Sequence, residues 1–433
     1  MLLNYEPDWR WFGADEGNRW YESVAHIRQD RPGAWGPVID AAAGVVREAA
    51  TTGRPPAASD PIRPAMTNHG VRPKALLLND TTAWYHWGCT ATSLALRDQI
   101  RARGYDVAAT PIRAVYAARP APSTMQAFDE PYFFARFVDA NPALIRQIAE
   151  ADRVVVNGEG TLHGLSDNVL ALLYVAYAAA TRLGKRVQIV NHSCYPEDAA
   201  RVTDPVANGL YKRVYDTLEY TAFREHICHR LMASIGVDGA LAFDSLPLTA
   251  RQMRPGLPQQ REKRLVIAGS AAADDATAGA FAEYARWAAA RGWTVVMLGG
   301  ARAFPALDEM NFLRALARHG MPAGTELVIA PSLERWLGEF ARAGLVATGR
   351  FHHSIAAFSL DAPFVAASSN TAKTDALMQL LERPSPLPIR APDLAARLVQ
   401  AHEAALDARE PEAVRAARRE AVETLAMENF AAL

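Results

Sequence analysis

Arg350, His352 and His353 cluster in the run GLVATGRFHHSIAAFSL, directly after an apolar stretch, Leu345 to Thr348, that reads as a strand. Gly349 hands the chain to a helix whose first turn carries these residues. Free backbone N–H groups and the helix dipole favour an anion there. Arginine grips a carboxylate or phosphate through two parallel hydrogen bonds, and histidine both donates to an oxyanion and transfers protons near neutral pH. The chemistry to expect is recognition of an acidic substrate. The plainer alternative is a helix cap beside a packed imidazole ring. Lys373, one of only five lysines, stands in the polar run SSNTAK before another helix and offers a second place for an anion.

Two further constellations belong to the first half of the chain. Asn157, Gly158, Glu159, Gly160 and Thr161 form a turn after the strand-like run RVVV, where two glycines let a sugar or phosphate approach the backbone. The turn is not a dinucleotide fingerprint, because His163 occupies the place of the third glycine. Arg224 and Glu225 stand at a strand-to-helix junction in position to face the same cleft and complete an anion clamp; the alternative is a surface ion pair. His226 and His229 share a helix face, but no Cys pair or H-E-x-x-H motif accompanies them, so no metal is expected. Cys89, in the loop HWGCT, has no nameable partner and is expected to be a buried or loop thiol.

The elements that must position these groups alternate between short apolar runs and longer stretches of helical spacing. KALLLND, DRVVVNGEG and KRVQIVNHS predict strands, with helices over TSLALRDQIRARG and NVLALLYVAYAAATRLG between them. The second series is RLVIAGS, WTVVMLGG, TELVIAPS, LVAT and PFVAASSN. Such alternation predicts an α/β protein with parallel sheets covered by helices, and a ligand in the cleft at the carboxyl ends of the strands. The expected organisation is a Trp-rich extension and Pro-rich linker over 1–72, one Rossmann-like domain over 73–250, a second over 262–390, and two helices over 391–433. The extension holds Trp9, Trp11, Trp20 and Trp35, which dock it on the core or on a second subunit, so a homo-oligomer stays open.

Composition narrows the function classes. The 433 residues are 50% hydrophobic and 21% charged, with 46 Lys and Arg against 47 Asp and Glu, so no bulk basicity would hold the chain on nucleic acid. Three scattered cysteines suit a reducing compartment rather than a disulfide framework. The start of the chain lacks a secretory pattern, and the longest apolar stretch, Val169 to Leu183, is short of the roughly 20 residues needed to span a bilayer. A cytoplasmic protein without stable membrane insertion is expected.

In order and spacing, VVVNGEGTLH, TAFREHICHRLMASIGV with FDS, and TGRFHHSIAAFSLDAPFVAASSNTAK resemble the polysaccharide pyruvyl transferase family over about residues 74 to 385. Its G-x-G-[ST] turn matches Gly158 to Thr161, its R-[DE] turn Arg224 and Glu225, its R-[LF]-H motif Arg350 to His352, its P-x-[VI] strand Pro363 to Val365, and its nearby lysine Lys373. The resemblance implies two Rossmann-like domains facing a cleft, as in glycosyltransferases of the B type, and an enzyme that moves pyruvate from phosphoenolpyruvate to sugar hydroxyls to make a ketal. It implies that Arg224 and His352 bind phosphoenolpyruvate and that Phe351 lines the site. In the expected mechanism His352 is the general acid, Arg224 and Arg350 hold carboxylate and phosphate, and Glu159 is the base. Phosphoenolpyruvate is the donor substrate and no separate cofactor is expected; a lipid-linked acceptor would bring the protein to the inner membrane face. His86, Trp87, Gly88 and Cys89 stand where the family often carries N-x-G-D, a loop expected to meet the acceptor. Two alternatives stay open: a nucleotide-sugar glycosyltransferase of the same fold, and a glycan-binding protein without catalysis.

Overall fold

The computed structural model describes residues 2–3, 27–28, 35–52, 72–84, 86–270, 272–300, 307–369, 371–408 and 410–433. The chain divides into two units, Met1–Arg72 and Pro73–Leu433. In the first, the short strands β1 (Leu2–Leu3) and β2 (Ile27–Arg28) pair in parallel, and α1 (Trp35–Thr52) follows. Trp35 opens that helix and is 42% exposed. The expected docking of Trp9, Trp11 and Trp20 lies outside the described residues, as does the Pro-rich segment 53–71.

The second unit holds two parallel sheets. The first half runs β3 (Lys74–Asp80), α2 (Trp87–Ala102), β4 (Asp106–Pro111), α3 (Ile112–Tyr116), α4 (Met125–Asp129), α5 (Pro131–Ala140), α6 (Pro142–Glu150), β5 (Arg153–Glu159), α7 (Asp167–Thr181), β6 (Arg186–His192), α8 (Pro205–Tyr215), β7 (Tyr220–Phe223), α9 (His226–Ser234), β8 (Ala240–Leu241) and α10 (Leu246–Met253). Its strands are ordered β4-β3-β5-β6-β7-β8. β5 is buried along its whole length, which is why Val154 to Val156 form an unbroken apolar run rather than an alternating one. α7 is apolar all round for the same reason: Val169 to Ala179 are buried within the lobe. Among the described residues no helix is long and apolar enough to cross a membrane.

The second half runs β9 (Arg264–Ala268), α11 (Asp275–Ala289), β10 (Thr294–Gly299), α12 (Leu307–Arg318), β11 (Glu326–Ile329), α13 (Leu333–Arg342), β12 (Leu345–Thr348), α14 (Phe351–Ser359), β13 (Phe364–Ala366), α15 (Lys373–Leu380), α16 (Leu394–Asp407) and α17 (Glu412–Met427). Its strands are ordered β11-β10-β9-β12-β13, again all parallel. The molecule is thus α/β with two Rossmann-like sheets, the architecture of glycosyltransferase-B-like proteins. The C-terminal helices part company. α16 stays on the second sheet's layer, where the Tyr284 hydroxyl meets His402 Nδ1 at 2.6 Å. The chain around α17 returns to the first lobe: Asn429 donates to the Phe243 carbonyl at 2.7 Å, and its Oδ1 accepts the Asn191 N–H at 2.7 Å.

This topology decides where a ligand goes. In each sheet the connections leave the first strand in opposite directions, between β3 and β5 in one and between β9 and β12 in the other. Such a reversal opens a crevice at the carboxyl ends of the two strands. α2 ties the lobes together at this point: the Trp87 backbone N–H donates to the Gly300 carbonyl at 2.8 Å and its indole N–H to the Ala330 carbonyl at 2.9 Å.

Candidate active site

The two crevices merge into one cavity of about 260 Å³, lined from the first lobe by Trp84, His86, Cys89, Ile112, Tyr116, Glu159, Gly160, Thr161 and Arg224, and from the second by Arg350, Phe351, His352, Ser369 and Lys373. Each group arrives there for a local reason. Arg224 follows β7, and its backbone N–H continues the ladder to the His192 carbonyl at 2.9 Å. Its guanidinium is buried, donates to Asp244 Oδ2 at 2.8 Å and Ser193 Oγ at 3.2 Å, and lies over the Phe351 ring at 4.6 Å. The arginine is therefore held from three sides, pre-set rather than mobile.

His352 sits in the first turn of α14. Its Nε2 lies 3.4 Å from Asp244 Oδ2 and 4.0 Å from Glu159 Oε1, so two carboxylates from the first lobe flank one imidazole from the second. Burial pushes the Asp244 carboxyl up, but its contacts with His352 and Arg224 outweigh that and hold it below its ordinary value. Glu159 ends β5 with φ +41, a left-handed conformation unusual for glutamate, which aims the carboxylate into the cavity. Its Oε1 is buried without a hydrogen bond. Lys373, at the start of α15, has no hydrogen bond or ion pair to a described residue, and burial with the Arg224 charge beside it pulls its ammonium down to about 8.

The structure changes the reading of the loop after β3. HWGC is not loop but the first turn of α2: His86 is the N-cap, its Nδ1 accepting the Gly88 N–H at 2.9 Å. Gly88 is needed there, since a Cβ would stand 2.3 Å from the His352 Cβ. Burial, then the nearby His353, His352 and Arg350, hold the His86 ring neutral, well below the ordinary imidazole range. Burial and the neighbouring Glu159 keep Cys89 a thiol. Among the described residues, His86, Cys89 and His352 bring three ligand-type atoms within 4.8 Å of one another. The protonated thiol and the charges of Arg224, Arg350 and Lys373 suit this cavity to an anion rather than a cation.

Several expected site residues serve the framework instead. Asn157 is fully buried beneath the cavity, where its Oδ1 accepts from Asn191 at 2.9 Å and its Nδ2 donates to Ser93 Oγ at 3.2 Å. Gly158 lets β6 pack close, because a Cβ would lie 2.5 Å from the His192 Cβ; Glu159, Gly160 and Thr161 of that turn reach the cavity. His353 points into the core, accepting the Trp336 indole N–H at 3.3 Å, and burial keeps it neutral. Glu225 does not face the cleft: it caps α9, taking the N–H groups of Ile227 at 2.7 Å and Cys228 at 3.0 Å and the Tyr195 hydroxyl at 2.7 Å. His226 and His229 diverge to Gln379 and the Gly239 carbonyl. Four cavity residues are missed by sequence reasoning, Trp84, Ile112, Tyr116 and Ser369, as is Asp244 behind Arg224. The available signal for Asp244 is an acid in FDS shortly after the strand edge that carries Ala240 and Leu241.

Two Rossmann-like lobes thus enclose a cation-rich cleft in which an imidazole stands between two carboxylates, a site of the kind a two-lobed α/β transferase carries. The sequence matches the polysaccharide pyruvyl transferase family over residues 88–371, and the chain belongs to that family. No functionally curated protein matches its sequence. Solved structures similar to it include the UDP-GlcNAc 2-epimerase of Neisseria meningitidis bound to UDP-GlcNAc, at 10% identity and TM-score 0.49, covering 81% of this chain and 99% of that one. Anabaena HepE in complex with UDP and glucose follows at 11% identity and TM-score 0.47, covering 83% and 100%. The trehalose 6-phosphate synthase of Burkholderia multivorans gives 12% identity and TM-score 0.47, covering 83% and 95%.

Proposed function

We propose that the protein transfers pyruvate from phosphoenolpyruvate to two hydroxyls of a carbohydrate acceptor, forming a pyruvate ketal and releasing phosphate. The observation that carries this reading is the convergence of Arg224, Arg350 and Lys373 on the cavity in which His352 stands between Asp244 and Glu159. Three cations match a donor that bears a carboxylate and a phosphate. His352 delivers a proton to the methylene carbon of the donor, and positive charge develops at C2. One acceptor hydroxyl forms a C–O bond there and gives its proton to Glu159. The C–O bond to phosphate then breaks with its electron pair, and the second hydroxyl closes the ketal. Of the two hydroxyl protons, one replaces the proton now fixed in the methyl group and the other leaves with phosphate. The donor carries its own activated enol phosphate, so this reading calls for no resident cofactor or metal. In it the enzyme works in the cytoplasm and meets a lipid-linked acceptor at the inner membrane face.

The test is calorimetric titration with phosphoenolpyruvate beside a panel of nucleotide sugars, in the parent protein and in Arg224→Ala. Saturable phosphoenolpyruvate binding that disappears in the variant is the expected result. Binding of a nucleotide sugar alone would replace the reading with glycosyl transfer, and binding of glycan without any donor would leave a lectin-like protein.

A further inference from the structure

The cavity has two chemically different walls. One is the charged side formed by Arg224, Arg350, Lys373, Glu159 and His352. The other is built by Trp84, Ile112 and Tyr116, from the turn after β3 and from α3. The Tyr116 ring meets the Trp84 indole edge-on, with centroids 6.2 Å apart and planes at 81°. The Tyr116 hydroxyl is 3.0 Å from Thr161 Oγ1, which in turn accepts Asn79 Nδ2 at 3.2 Å, so the phenol is anchored to the end of β5. The exposed Arg113 guanidinium lies over the Trp84 ring at 5.6 Å, fixing the indole from the same helix. The tryptophan lining the cavity is thus held in place, and the charged donor has no use for an aromatic wall.

We propose that Trp84 and Tyr116 form the acceptor subsite, where the C–H face of a neutral pyranose ring rests against the indole and its hydroxyls turn toward Glu159. This rests on the pyruvyl-transfer reading and adds to it the side from which the acceptor enters. Carbohydrates suit such a wall because one ring face is largely C–H, while the equatorial hydroxyls stay available for hydrogen bonds. Tyr116, whose proton burial holds on up to about pH 12, presents a neutral hydroxyl that neither repels nor competes with the donor.

The test pairs two readouts on Trp84→Ala and Trp84→Phe: calorimetry with phosphoenolpyruvate, and saturation-transfer NMR with methyl galacto-, gluco- and mannopyranosides. The expected result is donor affinity within about twofold of the parent in both variants. Saturation transfer from ring C–H protons, present in the parent for at least one glycoside, should fall roughly tenfold in Trp84→Ala and persist in Trp84→Phe, which keeps an aromatic face. Glycoside signals unchanged in Trp84→Ala, or absent from the parent protein, would overturn the subsite. Loss of donor binding in the parent would instead overturn the pyruvyl-transfer reading, a separable outcome because the glycoside spectra need no donor. Thermal unfolding of both variants, expected near that of the parent, separates loss of a contact from loss of the fold.

Discussion

Two cavities in this protein have the same volume, about 260 Å³, and opposite chemistry. The first lies under the C-terminal helices, walled by Phe358, Phe364, Met378, Ala401 and Ala405, with arginines at its rim. Those arginines are already matched: Arg415 and Arg419 pair with Asp361 at 2.8 Å and 2.9 Å, and Arg383 with Glu410 at 3.4 Å. In the interlobe cavity Lys373 has no such partner among the described residues, and Glu159 Oε1 and His352 Nε2 are buried without a hydrogen bond. A charge neutralised by its neighbours has little left for a ligand, whereas a buried polar atom without a partner costs the fold about 1–3 kcal/mol until something binds it. Volume does not distinguish the two spaces; a buried cation without a carboxylate partner among the described residues, Lys373, does.

The comparison is most exposed to failure at His352. Replacing it with Ala should lower kcat by about 10²- to 10⁴-fold while phosphoenolpyruvate affinity changes little, as expected for an acid that acts in the transition state. Steady-state kinetics beside calorimetry would read both; unchanged turnover would return the imidazole to a packing role. Arg224→Ala should abolish donor binding and also cost about 3–5 kcal/mol of stability, because it leaves Asp244 charged and buried. Adding Asp244→Ala should recover much of that stability without recovering binding, and urea unfolding of the single and double variants separates the two effects.

Lys373 sharpens the contrast through pH. Its ammonium loses its proton near 8, not near 10.5, so the cation is present below that pH and lost above it. Donor kcat/KM should therefore fall along an alkaline limb near pH 8, and Lys373→Arg should move that limb beyond the range in which the protein is stable. Against these, Arg415→Ala at the rim of the first cavity should leave activity within about twofold while costing about 1–3 kcal/mol of stability, since its pair with Asp361 is only partly exposed, measurable by denaturant unfolding. A larger loss of activity there would mean the paired rim communicates with the site.

A last test concerns the buried imidazoles. His163 and His192 are held down to about 3 by burial, with Arg224 adding to both. Each stays neutral in the fold but takes a proton at about 6.5 once unfolded, so the unfolded state binds more protons between those values. Stability should therefore fall as pH drops below about 6.5, by up to roughly 1.4 kcal/mol per pH unit for each such group. Substituting His192, whose Nε2 meets the Tyr215 hydroxyl at 2.8 Å, by Gln should flatten that slope by about one proton.

Much of the molecule is legible in one dimension. The apolar runs at 74–80, 153–159, 186–192, 264–268 and 345–348 become buried parallel strands because a strand covered by helices on both faces needs no polar alternation. Arg224, Arg350 and His352 lie just beyond strand ends, which is where a parallel sheet presents ligands, so their types and positions sufficed to nominate them. Residue type alone could not separate His352 from His353: neighbours on a helix point about 100° apart, and only the position of Trp336 decides which of them turns inward. Asp244 and Trp84 escaped for a related reason. An acid behind an arginine, or an indole across a cavity, acquires its role from residues distant in the chain, and no local periodicity records that distance.

The amino-acid order by itself determined the succession of strands and helices, the two-sheet plan and the cationic character of the groups at the strand ends, all of which depend on spacing and side-chain type over a few residues. Tertiary structure alone decided which of those groups share a cavity. It set His352 of one lobe between Asp244 and Glu159 of the other, sent Asn157, Gly158, His353 and Glu225 into the framework, and left Lys373 without a partner among the described residues. The physical reason is that backbone propensities act over one or two turns, whereas burial, ion pairing and desolvation depend on which distant segments the packed sheets bring within a few ångströms.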